Sequence, residues 1–159
     1  MLYLDASELE FVRGLVQYKV RFLVIGGHAV IHHGFLRPTK DLDCFVDRSD
    51  VNVSRLVSAL TNMGMPIHSE QICKPSNDYM QIRVRRMGLN VDLITTIQNM
   101  DFDSAYVRRA NVYKDGVMVP VISLEDLLTS KKTAGRPQDF EDIKELEIAA
   151  VKTSANPDA

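Results

Sequence analysis

Residues 25–43 read IGGHAVIHHGFLRPTKDLD, and the way this stretch is punctuated decides the fold. It is entered from Phe22 to Ile25, a short apolar run of β-forming residues and so a buried strand. Gly26-Gly27 ends that run in a turn whose backbone can pass close to a ligand. His28 to His33 leaves room for one small helix, stopped at Gly34 as a C-cap. Pro38 disfavours helical geometry at Arg37, so Phe35 to Lys40 is a loop. Lys40 to Val46 is then the next strand. On it Asp41 and Asp43 share a face, with Phe45 beyond them, while Leu42, Cys44 and Val46 point the other way.

Two carboxylates held on one strand face repel, and one keeps its proton unless a cation lies between them. A hard divalent metal with oxygen ligands, such as Mg²⁺, resolves that conflict. The glycine turn supplies the other half of a site, with helix N–H groups aimed at a phosphate. A phosphate cradle beside metal-binding carboxylates points to nucleotide chemistry; the competing reading of the acids is a plain polar strand face. His28 directly follows the glycines and is a candidate nucleotide contact. Its i, i+4 spacing from His32 also permits zinc, but no third ligand lies near in sequence. Arg37 is either a solvated loop residue or a group that meets phosphates or holds the loop, since its guanidinium suits bidentate phosphate contact.

The rest of the chain packs around this stretch. Asp5 and Glu8 form a capping pair for a helix over 5–19, with Leu9, Val12, Leu15 and Val16 as its apolar stripe. Ser49 caps a helix over 50–63 that ends at Gly64. Residues 66–78 are irregular, with a turn over Lys74–Asp78. Tyr79 to Arg85 alternates Met80, Ile82 and Val84 against Gln81, Arg83 and Arg85, the pattern of a half-exposed strand. After a tight turn at Gly88, Leu89 to Thr95 is the next strand. Asp92 stands in an apolar stretch there, where a carboxylate is costly unless it is paired or bound to metal. Arg83 and Arg85 across the hairpin are the alternative partners. A helix over 101–109 and a hairpin over 111–121 turning at Asp115-Gly116 follow. Ser123 caps a helix that ends at Gly135, and Pro137 opens a last helix to about Ala150.

The combined string of Gly26-Gly27, Gly34, Arg37, Thr39 and Asp41-Leu42-Asp43 resembles the nucleotidyltransferase superfamily named after DNA polymerase β. It looks most like the small bacterial and archaeal members found in toxin–antitoxin and abortive-infection systems. Asp92 matches that family's third acid, on a strand beside the Asp-x-Asp strand. Residues 124–146, LEDLLTSKKTAGRPQDFEDIKEL, resemble the run those proteins carry after the catalytic sheet. There Lys131 matches the recurrent lysine, and Arg136, Asp139 and Asp142 match the segment that follows. A lysine so placed neutralises charge on the leaving pyrophosphate; the other reading is a solvated surface lysine. Asp139 and Asp142 read as structural partners of Arg136 or Lys131. Gly27 stands where many superfamily members have Ser, which removes a hydroxyl but keeps the backbone N–H groups.

The implied fold is α/β (α+β), a mixed sheet flanked by helices with further helices at the C-terminus. Residues 1–150 form a single nucleotidyltransferase domain and 151–159 a flexible tail. The implied site has Asp41, Asp43 and Asp92 as catalytic and metal-binding acids. Gly26, Gly27, His28, Arg37, Thr39 and Lys131 bind the nucleotide. The cofactor is Mg²⁺, or Mn²⁺ in its place, and the substrate is a nucleoside triphosphate, with ATP among the candidates. The acceptor is a hydroxyl of RNA, such as a tRNA end, or of a partner protein, and a cognate toxin or antitoxin is an expected partner. The alternative is a non-catalytic nucleotide-binding regulatory or antitoxin module, which binds without turnover.

Composition bounds these readings. At 159 residues one domain with a sizeable core is expected. A hydrophobic content of 45% and a charged content of 25% are those of an ordinary globular protein. A net charge of −2 gives no global footprint for nucleic acid, though Arg83, Arg85, Arg86, Arg108 and Arg109 could make a local basic patch. Cys44 and Cys73 lack metal-ligand spacing, and Cys44 reads as a core thiol. No secretory signal and no run long enough to span a membrane is visible, so a cytoplasmic location is expected.

Overall fold

The computed structural model describes residues 1–72, 81–86 and 88–155. Helix α1 (Ala6–Gln17) opens on a complete capping box. The Asp5 side chain accepts from the Glu8 N–H, and the Glu8 carboxylate accepts from the Asp5 N–H. Strand β1 (Phe22–Val24) runs into α2 (Gly26–His32), which begins on the glycine pair itself, two residues before the expected start. Strand β2 (Leu42–Val46) follows, so Asp41 stands just ahead of the strand proper. Helix α3 (Asp50–Asn62) comes next. Ser49 is its N-cap residue but makes no side-chain cap; its N–H and hydroxyl donate instead to the Asp47 carboxylate. The cap expected of the Ser49 side chain is therefore not formed, because the nearby Asp47 carboxylate competes for its hydroxyl.

A 3₁₀ turn (Ser69–Gln71) leads toward β3 (Gln81–Arg86), and β4 (Leu89–Ile94) returns antiparallel to it. Tyr79, Met80, Cys73 and the turn over Lys74–Asp78 lie outside the described residues. Helix α4 (Phe102–Arg108) is followed by the hairpin β5 (Ala110–Lys114) and β6 (Val117–Val121). Both turn residues, Asp115 and Gly116, have positive φ, 46° and 82°, as a tight two-residue hairpin requires. Helix α5 (Leu124–Ala134) is capped by the Ser123 hydroxyl and ends at Gly135 with φ 62°. Helix α6 (Pro137–Ala155) continues five residues past the Ala150 expected from sequence, with residues 151–155 helical but exposed.

The strands form one mixed six-stranded sheet in the order β3-β4-β2-β1-β6-β5. The parallel pairs β2/β4 and β1/β6 sit inside, and antiparallel hairpins close both edges. Strands β1 and β2 pair antiparallel, which carries the chain from the glycine turn straight back to Asp43. The core is built from Phe11, Val12 and Leu15 of α1, the whole of β1, and Leu56 and Leu60 of α3, with Val91, Leu93, Val119 and Val121 from the sheet. Cys44 lies fully buried among them, and burial pushes its thiol far above the ordinary range, so it behaves as a small apolar core residue. No helix among the described residues is long and apolar enough to cross a membrane.

The C-terminal helices are joined to the rest by a buried charge network. Lys131 Nζ lies 3.0 Å from Asp139 Oδ1 and 2.6 Å from Asp142 Oδ2. Asp142 also accepts a fork from Arg37, Nε at 2.7 Å and the second nitrogen at 2.9 Å. Burial alone would raise the carboxyl of Asp142. The hydrogen bonds from Arg37 and Lys131 outweigh it and hold the carboxyl below its ordinary range. Lys131, Asp139 and Asp142 are all buried, so removing the lysine leaves two buried carboxylates short of positive charge. Lys131→Met is therefore expected to lower the free energy of unfolding by about 3 kcal/mol, read as a fall in the urea midpoint. An unchanged midpoint would show that the sheet holds α5 and α6 without this network.

Candidate active site

The site starts from strand register. In the parallel β2/β4 pair Asp43 stands directly beside Asp92, and in the β3/β4 pair Arg83 stands on the other side of Asp92. Neighbouring strands are only about 4.8 Å apart, so side chains in such a row on one sheet face touch or repel. Asp41 lies two residues before Asp43 on the same side. All three acids line one cleft of about 610 Å³. Its other walls are Gly26, Gln81, Arg83, Ile97, and the α5 face carrying Leu127, Ser130 and Lys131, with Arg136 just beyond.

Gly26 is needed here for two reasons. Its φ of 61° is left-handed, and a Cβ at this position would lie 2.1 Å from Asp43 Oδ2. The missing side chain is the space that the Asp43 carboxylate occupies. At Gly27 the space is taken by another residue: a Cβ there would lie 2.3 Å from Thr39 Oγ1. Thr39 therefore packs on the back of the turn, where a serine at position 27 would have stood.

The electrostatics of the acids are those of a site short of positive charge. Burial, then the charges of Asp92 and Asp41, push the Asp43 carboxyl up to about 6. Asp92 is 6% exposed, and its Oδ1 has no hydrogen-bond donor, while Oδ2 accepts from Gln81 Nε2 at 2.5 Å. Arg85 bridges Asp41 and Asp92 loosely, at 3.8 and 3.6 Å. An unsatisfied buried carboxylate oxygen beside a carboxyl of raised pKa is the donor set a hard cation fits. Among the described residues, no group of three Asp, Glu, His or Cys side chains is drawn together around a single point. The acids stand as neighbours along the sheet, with Arg85 between two of them.

Several residues expected at the nucleotide lie elsewhere. His28 is 2% exposed, and both ring nitrogens are engaged, Nδ1 with the Tyr3 carbonyl at 2.7 Å and Nε2 with Glu8 Oε1 at 2.9 Å. It locks α2 to the N-terminal segment and α1, so the nucleotide contact expected of it is replaced by a packing role. Burial opposes its proton, but the hydrogen bond and charge of Glu8 outweigh that and raise the imidazole above its ordinary value. Among the described residues His28 and His32 belong to no group of three side chains that could hold a metal, and burial, then His33 and the N-terminus, lower the His32 ring to about 4. Arg37 is committed to Asp142, and with Thr39 it buttresses the turn from outside the cleft. Lys131 does line the cleft, though its ammonium is held by Asp139 and Asp142.

The basic patch divides. Arg108 forks onto Asp126, Arg109 stacks on the Tyr106 ring at 4.0 Å, and Arg86 donates to the Met63 carbonyl. Arg83 and Arg85 face the acids. Sequence reading missed Gln81 as the partner of Asp92 and Glu8 as the partner of His28. The first signal was available, since Gln81 shares a strand face with Arg83 and Arg85; the second depends on how α1 packs on α2. A second cleft of about 750 Å³ opens between α1, the end of α3 and Leu89. Among the described residues that line it the one carboxylate is Glu10, without the paired acids that give the first cleft its chemistry.

Comparison with known proteins agrees with this geometry. A solved structure from Thermotoga maritima, provisionally assigned as a nucleotidyltransferase, superposes with a TM-score of 0.61. The match covers 91% of this chain and 94% of that one at 15% identity, so it bears on the fold alone. No curated protein matches the chain. Residues 6–153 match the family described as nucleotidyltransferase of unknown function (DUF6036). With nearly its whole length matched and the paired acids seated beside the glycine turn, the chain belongs to that nucleotidyltransferase family.

Proposed function

We propose that the chain is a metal-dependent nucleotidyltransferase that moves a nucleoside monophosphate from an NTP to a hydroxyl acceptor. What carries the reading is the pairing of Asp43 with Asp92 in register, beside a glycine whose absent side chain makes room for the Asp43 carboxylate. Asp41, Asp43 and Asp92 would hold Mg²⁺ or Mn²⁺, which supplies positive charge for the entering and leaving oxygens of an in-line displacement. The triphosphate rests on the Gly26-Gly27 turn, with the Lys131 and Arg136 wall giving the β- and γ-phosphates their positive surroundings. Asp92 Oδ1, which has no donor of its own, takes the proton of the acceptor hydroxyl. The acceptor oxygen bonds to the α-phosphorus, the bond from that phosphorus to the bridging oxygen of the β-phosphate breaks, and pyrophosphate leaves. His28, Arg37 and Thr39 serve the reaction by fixing the turn.

The acceptor in this reading is a macromolecule, RNA such as a tRNA end or a hydroxyl of a partner protein, and the setting is a toxin–antitoxin pair. That part rests on the likeness of residues 25–43 and 124–146 to small transferases of such systems.

The direct test uses the purified chain, each of the four α-³²P NTPs, Mg²⁺ and a total cell extract. Label is expected in one macromolecule with one preferred NTP, and Asp41→Ala with Asp43→Ala is expected to lower it at least about 10³-fold. Nucleotide binding without label for any NTP would leave a non-catalytic regulatory module as the function.

The raised Asp43 carboxyl sets a pH dependence. A metal ligand must be deprotonated, and this one holds its proton up to about pH 6 in the metal-free protein. Mn²⁺ affinity, measured by calorimetry, is expected to be steady above about pH 7 and to fall roughly tenfold per unit below 6. The stability of the metal-free protein runs the opposite way. Because the folded state binds this proton more tightly than the unfolded chain, stability is expected to rise as pH falls from 7 toward 4 through this group, and Asp43→Asn should remove that contribution. An Mn²⁺ affinity flat from pH 7 to 5 would exclude Asp43 as a ligand.

A further inference from the structure

Gln81, Arg83 and Arg85 stand two apart on β3, the edge strand of the sheet, and face the acids. Arg83 Nε lies 3.6 Å from Asp92 Oδ1. Arg85 places one nitrogen 3.6 Å from the same oxygen and the other 3.8 Å from Asp41 Oδ1. None of these distances is that of a hydrogen bond, and Asp92 Oδ1 is left without a donor. Both guanidinium side chains remain accessible, 65% exposed for Arg83 and 42% for Arg85.

The contrast with other arginines of this chain is informative. Arg37 grips Asp142 and Arg108 grips Asp126 with two short bonds each, between 2.7 and 3.0 Å. Those forks fix structure. At the cleft, two arginines lie against a buried carboxylate and form no fork. They contribute charge while leaving the lone pairs of the oxygen unclaimed. Such a pair is weak, exposed and easily exchanged.

We infer that Arg83 and Arg85 are exchangeable counter-ions of the acid cluster, balancing Asp41 and Asp92 in the metal-free protein and turning to phosphate oxygens of the substrate when a divalent cation enters. The inference rests on the proposed reading of the cleft as a metal-dependent transferase site. A doubly charged ion at the acids repels the guanidiniums, which already sit at the open sheet edge. An arginine fork released there matches two oxygens of a phosphate. The phosphate belongs either to the triphosphate or to the backbone of a nucleic-acid acceptor, and the chemistry is shared. Arg86, next along the strand, points away to the Met63 carbonyl and serves as an internal control.

The test compares wild type, Arg83→Gln with Arg85→Gln, and Arg86→Gln, without measuring turnover. Mn²⁺ binding is followed by the electron paramagnetic resonance of the free ion. Binding of inorganic tripolyphosphate and of a ten-adenylate oligoribonucleotide at saturating Mn²⁺ is followed by calorimetry. The double variant is expected to bind Mn²⁺ about three- to tenfold tighter, and one of the phosphate probes about tenfold weaker. Arg86→Gln is expected to match wild type. Weakening of tripolyphosphate assigns the arginines to the nucleotide, and weakening of the oligoribonucleotide assigns them to the acceptor strand. A wild type that binds both Mn²⁺ and tripolyphosphate, with a double variant identical to it, would overturn the inference and leave the proposed function standing. A wild type that binds neither would overturn both.

Discussion

Repulsion between neighbouring carboxylates is the constraint on which the site depends. It is set by the parallel pairing of β2 with β4, which places Asp43 and Asp92 side by side on one face of the sheet. A sheet built only for stability would put apolar residues in that row, as it does one residue to either side, where Leu42 meets Val91 and Cys44 meets Leu93. On the opposite face of the same strands Leu42, Cys44, Val91 and Leu93 are fully buried, and that packing holds the acids in their row. The stored electrostatic cost is what a cation would relieve.

The chain handles charge in two different ways. In the α5–α6 region, buried acids are each given short, directed partners, so their carboxyls are held ionised and the helices are fixed in place. At the cleft, the charged partners are long and loose, the short bond to Asp92 coming from the neutral Gln81 amide, and the Asp43 carboxyl is driven toward its protonated form. The same residue types therefore make a fastener in one place and a loosely balanced cluster in the other. Geometry, more than composition, separates them.

Much of this was legible in the sequence, and the reasons are local. The glycine pair, Pro38, the alternation of β2 and the Asp115-Gly116 turn each restrict the backbone within a few residues, so strand, turn and hairpin could be read from them. That Asp41 and Asp43 share a face followed from strand alternation, but the joining of Asp92 to them was implied only by the family resemblance, because nothing local marks β4 as the neighbour of β2. The fates of His28 and Arg37 were not legible, because their partners are far away along the chain. Glu8 reaches His28 through the packing of α1, and Asp142 reaches Arg37 through the return of α6. A histidine after a glycine turn and an arginine before a strand carry no local mark that tells a ligand contact from a brace. Ser49 failed for a similar reason at shorter range, since Asp47 took its hydroxyl.

The brace behind the turn has a consequence for how the protein comes into being. Gly27 is backed by Thr39, the loop holding Thr39 is anchored at Arg37, and Arg37 is gripped by Asp142 near the end of the chain. Synthesis proceeds from the other end. The strand, the turn and the Asp41/Asp43 pair thus emerge about a hundred residues before their anchor does, the Arg37–Asp142 separation being 105 positions, and Asp92 emerges between them. Until α6 is made and docked, the nascent chain carries its acids on an unbraced turn. A chain cut short before residue 142 would keep every one of those acids and lack the grip that sets their cradle.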